Sequence, residues 1–130
     1  MRKIFRIIAL TLVCLIALSA LTSCGRMFEG VQRKATKAGF TSYLFNHREM
    51  AEVNTAMHAA GISGEMKTAC LMVDDTGDSA YLYEFDKISA ARSFMEKYTE
   101  IIGIYDGDIE LRRDNKIVIA GSSSAVERCW

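Results

Sequence analysis

Proline is absent from all 130 residues, and the chain holds only two histidines and one tryptophan. Without proline there is no polyproline spacer and no proline-rich recognition tract. The two histidines, His47 and His58, lie eleven positions apart and so face different directions on one helix. Neither has a cysteine or second histidine at metal-ligand spacing, which leaves no zinc-type motif. Charge of one sign is lacking too: 16 Lys and Arg balance 16 Asp and Glu. No basic stripe is present, so a nucleic-acid partner is not expected. At 14.5 kDa the chain has room for one domain and a short targeting segment.

Half of the residues are hydrophobic, and they are concentrated at the N-terminus. Arg2, Lys3 and Arg6 form a basic start, after which Ile7 to Leu21 carry no charge, a 15-residue run. That is the basic-then-apolar plan of an export signal, and it is shorter than the ~20 apolar residues a spanning helix needs. A retained membrane-spanning anchor is the alternative. The run ends in Leu21-Thr22-Ser23-Cys24-Gly25. These residues resemble the bacterial lipobox, in which an aliphatic residue and two small residues precede an obligatory cysteine. The resemblance implies diacylglyceryl attachment to the Cys24 thiol and cleavage just before it. Residues 1–23 would then be a lipoprotein signal peptide and residues 24–130 a single extracytoplasmic domain. An ordinary secretory signal cut nearby remains the other reading.

Two or three acyl chains hold a protein durably, at ~0.8 kcal/mol per buried CH₂. The expected partner at this end is therefore a membrane, reached through lipid at the extracytoplasmic face. Gly25 stands where an aspartate is associated with inner-membrane retention, so a Gram-negative host would place the protein at its outer membrane. Without Arg2, Lys3 and Arg6, 13 basic residues face 16 acidic ones, a formal charge of −3. Such a surface gives no help in binding anionic lipid.

Beyond Cys24 the periodicities are regular. Met27, Phe28, Val31, Ala35 and Ala38 make a helical stripe, and Gly39 stops it. Phe40 to Phe45 reads as a strand. Asn46 and Glu49 form a capping box for a helix with Met50, Val53, Met57 and Ala60 inside. Lys67 to Val73 and Tyr81 to Phe85 predict a hairpin around the turn at Asp74–Asp78. Ile88, Ala91, Met95, Tyr98 and Ile102 supply the buried stripe of a third helix. Ile109 to Arg113 and Lys116 to Ala120 predict a second hairpin across Asp114-Asn115. Ser124 with Glu127 suits a final helical turn. The predicted fold class is α+β: after an N-terminal helix comes the βαββαβ order of a ferredoxin-like antiparallel sheet with two packed helices. One sheet face is expected to be open or covered by the N-terminal helix.

Ala38-Gly39-Phe40, Tyr83-Glu84-Phe85-Asp86 leading into Ala90-Ala91, and Ile117-Val118-Ile119-Ala120-Gly121 resemble segments of small lipoproteins from Gram-positive bacteria. Those proteins have no assigned activity. The matching motifs are packing motifs, so the resemblance implies a fold and no reaction.

Candidate chemistry is sparse. His47 with Glu49 and Glu52 suits at most a weak surface metal site. Asp74, Asp75 and Asp78, and Asp106 with Asp108, lack the EF-hand spacing and suit turns. Ser122 to Ser124 lack a nucleophile elbow, Cys70 lacks an adjacent base, and no cofactor motif is present. Cys70 and Cys129 are a candidate disulfide that would close a loop of about 60 residues, contributing roughly 4 kcal/mol by loop entropy. Free buried thiols are the other reading, since Cys70 lies in an apolar run. Tyr81, Tyr83, Phe85 and Tyr105 form an aromatic group. From it Tyr81 and Tyr83, with Arg112, are the candidate binding residues of an open sheet face. Two functional classes follow: a non-catalytic module binding a protein or small molecule outside the cytoplasm, or a small metal-dependent or hydrolytic envelope enzyme built on His47, Glu49 and the aspartate turns.

Overall fold

The computed structural model describes residues 25–103 and 109–130. Cys24, Tyr105, Asp106 and Asp108 lie outside the described residues. Helix α1 (Phe28–Lys37) leads into strand β1 (Thr41–Leu44), helix α2 (His47–Ala59), and the strands β2 (Met66–Val73) and β3 (Ser79–Phe85). Helices α3 (Ile88–Glu96) and α4 (Tyr98–Ile102), strands β4 (Glu110–Asp114) and β5 (Ile117–Gly121) and helix α5 (Ser123–Cys129) follow. The fold is α+β, with one five-stranded antiparallel sheet in the order β1-β2-β3-β5-β4.

Local chemistry explains most boundaries. Asn46 accepts a hydrogen bond from the backbone N–H of Glu49 at 2.9 Å and starts α2 as its sequence suggests. Asp74 Oδ1 accepts from the N–H groups of Thr76 and Asp78, which closes the β2–β3 turn. Asn115 takes a φ of 53° in the β4–β5 turn, a conformation asparagine tolerates. At the C-terminus Ser122, rather than Ser124, is the N-cap, accepting from Ala125 N–H at 3.2 Å. The long helix expected after Asp86 is broken at Lys97 into α3 and α4. Ala90, Ala91, Phe94 and Tyr98 are buried, whereas Ile88 is exposed.

The spatial order departs from a ferredoxin-like sheet. Its second half does contain a split β-α-β unit, because β3 and β4 both run antiparallel to β5, which lies between them. The first half does not. β1 pairs β2 directly and antiparallel, Thr41 opposite Val73 and Leu44 opposite Cys70. β2 extends past the short β1, and there the Asn54 side chain accepts from Met66 N–H at 2.8 Å and donates to Met66 C=O at 3.2 Å. One amide thus satisfies the strand end that would otherwise want another neighbour.

Both sheet faces are packed. On one, Phe28, Val31 and Ala35 of α1 and Ala125, Val126 and Cys129 of α5 meet Cys70, Met72, Leu82, Ile117 and Ile119. On the other, Met57 of α2 and Ala90, Ala91 and Phe94 of α3 meet Ala69, Tyr83, Phe85, Val118 and Ala120. Phe94 sits at the centre, its ring 4.9 Å from Tyr83, 5.0 Å from Phe85 and 5.6 Å from Tyr98.

Candidate functional site

Register decides what the candidate aromatics can do. Tyr43 pairs Leu71, Leu71 pairs Tyr81, Tyr81 pairs Ala120, and Ala120 pairs Leu111. Residues directly opposite share a face, so these five make one apolar row across the whole sheet. The row lies on the face of α2 and α3, in the half nearer the β2–β3 turn. Those helices cover the other half. Tyr43 is 59% exposed, Leu71, Tyr81 and Leu111 are half-buried, and Ala120 is buried. Phe45 meets Tyr81 edge-on at 6.1 Å, and Tyr81 stacks on Tyr83 at 6.0 Å. The aromatic chain therefore runs inward from the exposed edge.

Of the two outcomes expected for the second sheet face, open or covered by the N-terminal helix, the structure has the second, with α1 and α5 on it, and Tyr81, Tyr83 and Arg112 do not share an open face. The face that carries Tyr81 is half covered by α2 and α3. Tyr83 is 1% exposed beneath Phe94 and belongs to the core. Arg112 pairs Ile119, which pairs Leu82, so alternation puts it on the opposite face from the tyrosines. There its guanidinium binds Glu110 at 2.7 and 2.9 Å. Sequence alone gives the alternation within each strand, but the register that relates Arg112 to Tyr81 has no local signal. Tyr43 lacks a local signal for the same reason.

Cys70 and Cys129 are free thiols, both buried in the core beneath α1. Burial pushes Cys70 up to about 11, the Gln32 side chain partly opposing this and the nearby Cys129 adding to it. Burial likewise raises Cys129 to about 11. Such thiols are weak nucleophiles. Ser42 Oγ is buried against Cys70 and has no other polar partner among the described residues.

Among the described residues, the groups of the enzyme reading do not converge. His47 begins α2 beyond the Leu44 end of the β1–β2 ladder, while Asp74, Asp75 and Asp78 follow Val73 at the other end. Glu49 is engaged with Asn46. His58 hydrogen-bonds the carbonyl oxygen of Gly64 at 3.1 Å. Among the described residues no three His, Cys, Asp or Glu side chains are grouped to hold a metal. Asp74 has a structural partner instead: Arg128 Nη1 lies 2.6 Å from its Oδ2 and 3.6 Å from Asp78. Arg128 and the Thr76 hydroxyl hold the Asp74 carboxyl down at about 2. The same guanidinium donates to the Ala38 carbonyl at 2.9 Å and covers the Phe40 ring at 4.6 Å. Arg128 thus ties α5, the β2–β3 turn and the end of α1 together.

The fold begins tightly. Gly25 has a φ of 69°, and a Cβ there would stand 2.6 Å from Asn115 Nδ2 and 2.7 Å from Asp114 Oδ1. That positive φ favours glycine, and any side chain there would displace the ends of the Asp114 and Asn115 side chains. Arg26 follows with its N–H 3.1 Å from Asp114 Oδ2, its Nη1 3.2 Å from the same oxygen and its Nε 3.3 Å from the Trp130 carbonyl. Its guanidinium lies 4.4 Å over the Trp130 ring. Comparison with protein families, with curated proteins and with solved structures finds no match to this chain.

Proposed function

We propose that the protein is a lipid-anchored lipoprotein of the cell envelope, and that its domain is a non-catalytic interaction module held at the extracytoplasmic membrane face. The observation that carries the reading is the boundary at Cys24. A basic start, an uncharged run and Leu-Thr-Ser-Cys end there, and Gly25, the next residue, already lies against the β4–β5 turn. Anchor and domain adjoin with no linker between them.

The interaction role rests on the row Tyr43-Leu71-Tyr81-Ala120-Leu111. An apolar strip that ends in an exposed tyrosine on the edge strand suits a flat protein or extended-peptide partner. In cells fed an alkyne-labelled fatty acid, the wild-type chain is expected to take up label and sediment with membranes. The Cys24→Ser variant should lose both; label retained by that variant would refute the anchor. For the interaction role, proteins crosslinked to the anchored chain in its own cells are expected to be lost on Tyr43→Glu with the fold intact. An identical crosslinked set would remove this surface from the proposal.

A further inference from the structure

We infer that the end of the domain formed by Gly25, Arg26, Met27 and Trp130 lies against the phospholipid surface, so that the anchored domain has one fixed orientation. The inference rests on acylation at Cys24 and adds to it which surface of the domain meets the bilayer.

Consecutive Cα atoms stand ~3.8 Å apart across a trans peptide, so the lipid-bearing residue is one bond vector from Gly25. A flexible tether of n residues would let a domain wander over roughly 5–6 Å × √n. Here no residue is left for such a tether. Gly25 packs on the β4–β5 turn, and Arg26 is tied within one residue to both Asp114 and the Trp130 carbonyl. Acyl chains buried in the hydrocarbon hold Cys24 at the depth of the headgroups. Whatever surrounds Gly25 is held there with it.

What surrounds it suits that place. Met27 is 68% exposed, and Leu44, at 65%, faces it across a shallow hollow shared with Phe28, Thr68 and Glu84. These are the two most exposed large apolar side chains among the described residues. Both lie on the face covered by α1, toward the same end of the sheet as the β4–β5 turn. Trp130 lines a neighbouring hollow with Arg26, Met27 and Lys34. An indole with its apolar ring and polar N–H favours the boundary between headgroups and acyl chains. Lys116, in the turn that Gly25 packs against, is exposed and adds a cation there. The acyl chains supply the affinity, and the pole needs only to be compatible with headgroups. The Asp74–Asp78 turn, at the far end of β3 from this pole, then points away from the bilayer, and the row containing Tyr81 stands in the outward half.

Because Trp130 is the only tryptophan, its emission reports the depth of this end directly. Mature acylated protein is reconstituted in phosphatidylcholine–phosphatidylglycerol vesicles whose lipids carry bromine just below the glycerol. Trp130 emission is expected to fall relative to vesicles without bromine. The reporter moved to the far turn, Trp130→Phe with Asp75→Trp, is expected to lose nothing. A ten-residue Gly-Ser insertion after Cys24, which leaves the core untouched, should weaken the quenching of Trp130 while the protein still floats with vesicles. Vesicle-bound, acylated protein whose Trp130 is unquenched, or is quenched no more than the moved reporter or the linker variant, overturns the orientation. Protein that does not float and carries no lipid by mass overturns the anchor reading itself.

Discussion

Single side chains settle most of what holds this domain in shape. Phe94 fills the space between α3 and the sheet against three other rings, and Phe94→Ala is expected to cost about 3–5 kcal/mol in urea unfolding. A cost below about 1 kcal/mol would mean that the aromatic centre is not built as described. Two titrations bracket the stability. Asp74 is held at about 2 in the fold against 3.8 free; since the folded value is the lower, its ionised form stabilises above 3.8 and the contribution is lost as pH falls toward 2. Replacing Arg128 by Met is expected to lower the melting temperature at neutral pH and flatten this acid limb. Cys70 and Cys129 titrate the other way. Their folded values, about 11, lie above the free value of 9.0, so their contribution is complete below 9.0 and is lost as pH rises toward 11. Unfolded but unreduced mature protein is expected to show two reactive thiols. Finding none would mean that the pair is oxidised in the native protein.

At the scale of elements, the parts with local causes were legible and the parts with distant causes were not. Asn46 with Glu49, the aspartate turn after Val73 and Asn115 each specify their own boundary within four residues, and each stands where the sequence places it. The expected α+β class and both hairpins follow from such signals. The neighbour of β1 does not, because no residue within β1 or β2 specifies their pairing; Asn54 of α2, which bonds the end of β2 at Met66, is itself twelve positions away. Asn54→Ala leaves the backbone of buried Met66 unpaired, and a loss of about 1–3 kcal/mol is expected. Asn46→Ala should cost nearer ~1 kcal/mol. Equal costs would argue that Asn54 serves α2 alone. The stripe read for the third helix omits Phe94 although it stands at helical spacing from Ala90 and Ala91; what had no local signal is the break at Lys97, whose ammonium is drawn to the Ala60 carbonyl at the end of α2. That partner lies 37 positions away.

For the whole molecule, the candidate site was legible in half. Tyr81 was visible as an outward residue of an alternating strand. Its continuation to Tyr43 and Leu111, and the separation of Arg112 to the far face, depend on register between strands that sequence does not encode locally. Both faces of the sheet carry helices, so the uncovered part of the sheet itself is the row near β1. The edges are guarded differently: β4 presents Glu110, Arg112, Arg113 and Asp114, while β1 is only four residues long. The proposed role depends on where the domain is held. That makes Cys24 the residue on which the account turns. Intact-mass analysis of the protein extracted from membranes of its own cells is the direct measurement. A chain beginning at residue 24 with diacylglyceryl mass on the cysteine is expected; an unmodified cysteine, or any other first residue, refutes the lipid anchor.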